Sequence, residues 1–185
     1  MSIQGYQGAV ASTRSVLEQV SAEHMASATP CASWNVKELV NHVVGGQHFF
    51  IAGLKGTPPS ADEVDYSAGD FLASFDEATA SMVEALSEEG AMEKMLTLPF
   101  GEMPGAALAG LAATDTFVHG WDLAKATGQS TDLAPELAAG MLEASKQMIQ
   151  ESFRGPEGAP FGAEQPCAEG ACNADQLAAF LGREV

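Results

Sequence analysis

Along the first part of the chain Tyr6, Val10, Thr13, Leu17 and Val20 recur at spacings of four, three, four and three, which traces one stripe of a helix over residues 4 to 25. His24 continues that stripe near the helix end, where it reads as a capping or rim histidine beside the negative end of the helix dipole. Thr29-Pro30-Cys31-Ala32-Ser33 interrupts the pattern. A second helix then starts with consistent signals: Asn35 as cap, Glu38 three residues on for a capping box, and Trp34 to staple onto Leu39. It runs to about Leu54 and buries Val36, Leu39, Val40, Val43, Phe50 and Leu54, before a loop from Gly56 to Ser60 with Pro58-Pro59.

Phe71, Phe75, Met82 and Leu86 share one face of a third helix over residues 70 to 89, ending at Gly90. Lys94 to Gly101 reads as an extended stretch or short hairpin, and Pro104-Gly105 announces a fourth helix over roughly 106 to 127, stopped at Gly128. Asp132 to about Phe153, with an early Pro135, forms a fifth. Arg154 to Cys172, rich in Gly, Pro, Ala and Glu, reads as a surface crossing. A short terminal helix opens at Asn173 and ends at Gly182. Together these patterns predict an all-α chain: an antiparallel four-helix bundle with a short additional C-terminal helix, residues 1 to 185 forming a single domain without internal repeats.

Composition changes this picture mainly by exclusion. The 185 residues are 46% apolar and carry 25 acidic against 8 basic groups, a formal charge of −17 that repels phosphate backbones and anionic lipid surfaces. Nucleic acid and membrane are therefore not expected partners. The N-terminus lacks a basic region followed by an apolar one, and the longest nearly apolar run, Ala106 to Ala113, is far short of the ~18 residues a span needs. The expected location is the cytoplasm. Three cysteines, Cys31, Cys167 and Cys172, are too few and too odd in number for a disulfide framework and are expected to be thiols. Cys31 precedes a helix start, and nothing nearby is expected to supply a catalytic base.

The chemistry is concentrated on the fourth predicted helix. At about 100° per residue, Asp115 and His119 fall roughly 40° apart on a face otherwise made of Leu108, Leu111, Ala112, Leu123 and Ala126. A carboxylate inside an apolar stripe needs a compensating partner. Residues at i and i+4 can place one carboxylate oxygen and one imidazole nitrogen on a metal, with a third ligand from another helix. His42, beside Leu39, Gly46 and Phe49 on the second predicted helix, is the natural candidate, whereas His48 points to the polar side shared with Lys37, Asn41 and Lys55. The same spacing also suits a metal-free Asp-His hydrogen bond. Asp122 shares the face of His119, where it can orient an imidazole, replace Asp115 as ligand, or form an ion pair on the helix surface or between helices. Cys167 and Cys172 have no second Cys or His pair to complete a zinc site.

Thr29 to His42, Asp115 to Ala124 with Thr127-Gly128-Gln129, and the terminal Leu177-Ala178-Ala179-Phe180-Leu181-Gly182-Arg183 carry a resemblance over nearly the whole chain. They resemble the DinB-like superfamily in its mycothiol-dependent maleylpyruvate isomerase N-terminal branch. The resemblance implies a four-helix bundle whose metal is held by a histidine of the second helix and a carboxylate plus histidine of a later one, here His42, Asp115 and His119. Relatives commonly carry glutamate where this chain has Asp115, which is one methylene shorter. The isomerase proper also carries a basic residue in its middle segment, where residues 60 to 100 offer only Lys94.

Three protein ligands leave positions open for water or substrate. The leading expectation is a thiol-dependent metalloenzyme, a transferase or isomerase that uses mycothiol or another low-molecular-weight thiol on a small electrophilic molecule. Its rivals are a metal-binding module without turnover and a metal-dependent hydrolase on the same ligands. Two imidazoles and a carboxylate favour zinc and also accept nickel, iron or manganese. The expected partners are a small-molecule substrate or thiol, and a homodimer is compatible with the sequence.

Overall fold

A computed structural model describes residues 2–31, 34–60, 64–99, 101–155 and 161–185. Ala32 and Ser33 of the interruption before the second helix, Phe100 of the extended stretch and residues 156–160 of the surface crossing lie outside the described residues. The chain is mostly helical: α1 (Ile3–Leu17), α2 (Val36–Lys55), α3 (Phe71–Ser87), α4 (Gly105–Ala126), α5 (Pro135–Met148) and α6 (Asn173–Phe180). It is not purely α. β1 (Met95–Leu98) and β2 (Gly101–Pro104) pair antiparallel, with Met95 opposite Pro104 and Leu98 opposite Gly101.

Side-chain chemistry sets the helix ends. The Asn35 carboxamide accepts from the Glu38 amide at 3.0 Å while Glu38 accepts from the Asn35 amide at 2.8 Å, so the capping box that opens α2 is reciprocal. Trp34 packs against the core cluster that contains Leu39. Gly56 closes α2 in the left-handed region, at φ 68°. α1 stops earlier than its stripe suggests: Val20 turns into the core at 8% exposure, and Ser21 starts a short 3-10 turn over Ala22–His24. His24 Nδ1 accepts from the Ser21 amide at 3.1 Å and so completes a cap. α5 is shorter than its sequence pattern, beginning at Pro135, whose missing N–H costs nothing at the first helical position, and giving way to extended backbone at Ile149. α6 is capped by Cys172, whose sulfur accepts from the Asp175 amide at 3.4 Å.

α4 runs through the middle of the protein, packing against α1, α2 and α6, while α3 packs on α1 and α2. This explains why so much of it is buried: Phe117, Val118, Trp121, Leu123 and Ala124 on several faces are all at most 3% exposed. α1 and α4 approach closely at Gly120, where a Cβ would meet Thr13 Oγ1 at 2.4 Å. A buried polar belt fixes the register of three helices. Tyr6 Oη donates to Gln47 Oε1 (2.6 Å), Gln47 Nε2 to Thr116 Oγ1 (2.9 Å), and Thr13 Oγ1 to the Thr116 carbonyl (2.8 Å). Thr116 adjoins Asp115, and Gln47 also donates to the carbonyl of Val43, the neighbour of His42. The belt therefore locks α2 against α4 beside both residues.

Candidate metal centre

The three residues expected as ligands meet. The ligand atoms of His42, Asp115 and His119 all lie within 4.8 Å of one another. Asp115 Oδ1 stands 3.6 Å from His42 Nε2 and 3.5 Å from His119 Nε2. Both imidazoles thus turn the same nitrogen to one carboxylate oxygen. Gly46 leaves room there: a Cβ would come no closer than 3.7 Å to Asp115 Oδ2. His48 is exposed and stacks on Tyr66 at 5.9 Å, away from the cluster.

Among the described residues, His42 Nε2 is a buried side-chain nitrogen with no hydrogen-bond partner. Such an atom costs about 1–3 kcal/mol unless something satisfies it. The Trp34 ring covers the His42 ring at 4.3 Å between centroids, and the two imidazoles meet edge-on at 4.6 Å. A divalent cation fits this donor set of two imidazole nitrogens and a carboxylate oxygen, and would satisfy the orphaned nitrogen.

Behind His119 lies a second group that the sequence did not assemble. His119 Nδ1 is 2.9 Å from Asp122 Oδ2, an ionised carboxylate that can only accept, so Nδ1 carries the hydrogen. Once Nε2 gives up its own proton, the ring presents that lone pair towards His42 and Asp115. Asp122 is fully buried, and of the ion pairs the sequence left open, on the surface or between helices, it forms one across elements, with Arg183 after α6. It accepts from Arg183 Nε (3.3 Å) and an Arg183 terminal nitrogen (3.2 Å), and from the Cys31 thiol (3.1 Å). Cys31 Sγ also lies 3.8 Å from His119 Nδ1. The expectation that Cys31 has no base nearby fails for that reason: its neighbours come from α4 and from the residues after α6. Cys31, His119 and Asp122 also lie within reach of one ion, but the Arg183 guanidinium already supplies the positive charge there and would repel a metal. The front trio is the better cation site.

Titration follows the same pattern. Burial pushes the Asp115 carboxyl up, but the charge of His119 and contacts with both imidazoles outweigh it and hold the group well below the usual carboxylate range. Burial pushes His119 down, yet the Asp115 charge and the contacts with Asp115, Asp122 and Cys31 raise it well above its ordinary value. Burial likewise opposes ionisation of Asp122, and its bond to His119 and the Arg183 charge overcome this.

His42 and Asp115 open onto a cavity of about 500 Å³ walled by Gly45, Gly46, Phe49, Phe50 and Leu111. All eight basic side chains of the chain are described, and none lines it. Arg14 is held by Asp76, Lys37 by Asp65, Lys146 by Glu143 and Arg183 by Asp122. Arg154 donates to the carbonyls of Gly162 and Phe180, and Lys125 lies over the Trp121 ring. Lys55 and Lys94 border a different depression beside Glu88 and Glu89.

Fold and site together define a mainly helical protein with a His-Asp-His cluster facing an apolar cavity. Residues 6–124 match the mycothiol maleylpyruvate isomerase N-terminal domain family, and the chain belongs to that family. Two relatives from two strains of Mycobacterium tuberculosis, both described as uncharacterized proteins, are each 42% identical over 172 residues, 92% of this chain and 91% of the relative. A crystal structure of the mycothiol-dependent maleylpyruvate isomerase shares the fold, with a TM-score of 0.60 at 16% identity over 82% of this chain and 72% of that one. No helix among the described residues is long and apolar enough to cross a membrane.

Proposed function

We propose that this protein is a metal-dependent, thiol-using S-transferase or isomerase acting on a small electrophilic molecule, with His42, Asp115 and His119 as the ligands of a divalent ion, zinc by donor chemistry. The observation that carries the proposal is the buried, unpartnered His42 Nε2 converging with His119 Nε2 on Asp115 Oδ1 at the edge of a cavity. A purely structural ion would need no such opening. When bound, the ion supplies a Lewis acid that lowers the pKa of a low-molecular-weight thiol, mycothiol by family, placed beside it.

The chain's own residues do the rest. Asp122 holds His119 in the Nδ1–H tautomer, and its bond to His119, helped by the Arg183 charge, keeps Asp122 ionised although it is buried. Trp34 packs over one side of the His42 ring and helps hold it in place. Phe49, Phe50 and Leu111 give the electrophile an apolar wall. In this reading residues 1 to 185 act as one domain, with α1 to α4 as an antiparallel bundle around the site. The protein works in the cytoplasm, where thiols stay reduced.

The test is an assay of zinc-loaded protein with mycothiol, glutathione and cysteine against 1-chloro-2,4-dinitrobenzene. Adduct formation that requires the metal and disappears in His119→Ala supports the proposal. Loaded protein that forms no adduct with any of the three thiols contradicts it.

A further inference from the structure

The cavity beside His42 and Asp115 has phenylalanines, a leucine and two glycines as its remaining lining. A second depression of about 420 Å³ shares Phe49 with it and continues past Gly53, Pro58 and Pro59 to Leu98 of the hairpin. Among the described residues its lining holds no charged side chain. The volume of either space suits a small organic molecule. What both lack is a counter-charge: every lysine and arginine of this strongly acidic chain is placed elsewhere, and the nearest buried guanidinium, Arg183, is committed to Asp122 behind His119.

A cation at the three-ligand cluster could balance one negative group near the reacting atom. A second carboxylate, or any charge reaching along Phe49, would lose part of its hydration against apolar walls and find no cation to pair it. The Asp115 carboxylate at the cavity edge adds repulsion. From these observations we infer that the substrate is an uncharged, largely apolar small molecule: its reactive atom lies beside His42 and Asp115, and its apolar remainder lies along Phe49 towards the Pro58-Pro59 loop. The same wall disfavours dicarboxylate substrates. The inference rests on the proposed site but not on its thiol chemistry.

The experiment compares two unreactive probes of one shape, dimethyl phthalate and phthalate, titrated calorimetrically into metal-loaded protein without thiol, with quenching of Trp34 as a second readout. The expected result is that the diester binds at least about tenfold more tightly than the dianion. Leu111→Lys, which puts a cation into the cavity wall, should narrow or reverse that preference. Thr97→Lys, on the exposed β1 position bordering the second depression, should narrow it without touching the core. Equal or tighter binding of phthalate by the unmodified protein, or binding of neither probe, overturns the inference. Because the readout is binding without thiol, a failed adduct assay leaves this result standing, and a reversed charge preference leaves the thiol chemistry standing.

Discussion

Asp122→Asn keeps the shape of the side chain and removes its charge from a fully buried position. One of its two oxygens becomes an NH2 donor, so His119 Nδ1 at 2.9 Å, the Arg183 guanidinium at 3.2 and 3.3 Å, and the Cys31 thiol at 3.1 Å are left to compete for a single uncharged carbonyl oxygen. An amide no longer selects the Nδ1–H tautomer, so the Nε2 lone pair is no longer committed to the metal side. Outer partners of ligating histidines are worth about 10- to 100-fold in metal affinity, or roughly 1.4–2.7 kcal/mol. The fold suffers separately. Losing one partner of a buried ion pair costs about 3–5 kcal/mol, but the Arg183 side chain keeps 17% exposure and can turn partly to water. A loss of about 2–3 kcal/mol is therefore expected, which for a chain of this size lowers Tm by roughly 4–12 °C.

Competition against a chromophoric chelator gives the affinity, the cobalt(II) spectrum reports ligand geometry, and thermal unfolding gives the stability. Arg183→Met is the control: it leaves the Asp122–His119 bond in place, so it should lose stability while holding metal much better than Asp122→Asn. An Asp122→Asn variant with wild-type affinity and an unchanged cobalt spectrum would refute the orienting role.

Three further outcomes are expected. In metal-free protein the raised His119 contributes stability that is complete below its unfolded pKa and fades as pH rises through the folded one, while the lowered Asp115 and Asp122 contribute above their unfolded values and fade as pH falls. Their shared contribution should peak between about pH 4 and 6.5. Metal binding must displace the His119 proton, so apparent affinity should fall roughly tenfold per unit of acidification near neutrality, with about one proton released per ion; calorimetry in buffers of different ionisation enthalpy reads this, and a pH-independent affinity would contradict it. Replacing Cys167 and Cys172 together by serine should leave metal content at wild type, since serine also caps α6 in place of Cys172; metal analysis showing loss of the ion would move the site to the C-terminal loop.

How much of this was legible in sequence depends on range along the chain. The capping box at Asn35 and Glu38 spans three residues, so it registered α2 and with it His42. Asp115 and His119 share a turn of one helix, so their meeting followed from the helical repeat alone. The group behind His119 has no such local signature: Cys31 and Arg183 reach Asp122 across 91 and 61 positions. Periodicity carries no record of contacts at that distance. Arg183 was visible only as part of a terminal motif, and as one of few cations in an acidic chain. The sequence left several roles open for Asp122 because α4 is covered on several sides, so a residue off its main stripe is as buried as one on it. The hairpin was anticipated only as an alternative, because β1 and β2 have four residues each, too few to display an alternation.

The central claim is that three side chains from α2 and α4 hold one ion, and the metal content of single-alanine variants tests it most directly. His42→Ala, Asp115→Ala and His119→Ala are each expected to lose most of the bound metal, while His24→Ala, whose imidazole caps a turn, and His48→Ala, exposed against Tyr66, keep one ion per chain. Retention of stoichiometric metal by His42→Ala together with its loss in His48→Ala would contradict the account.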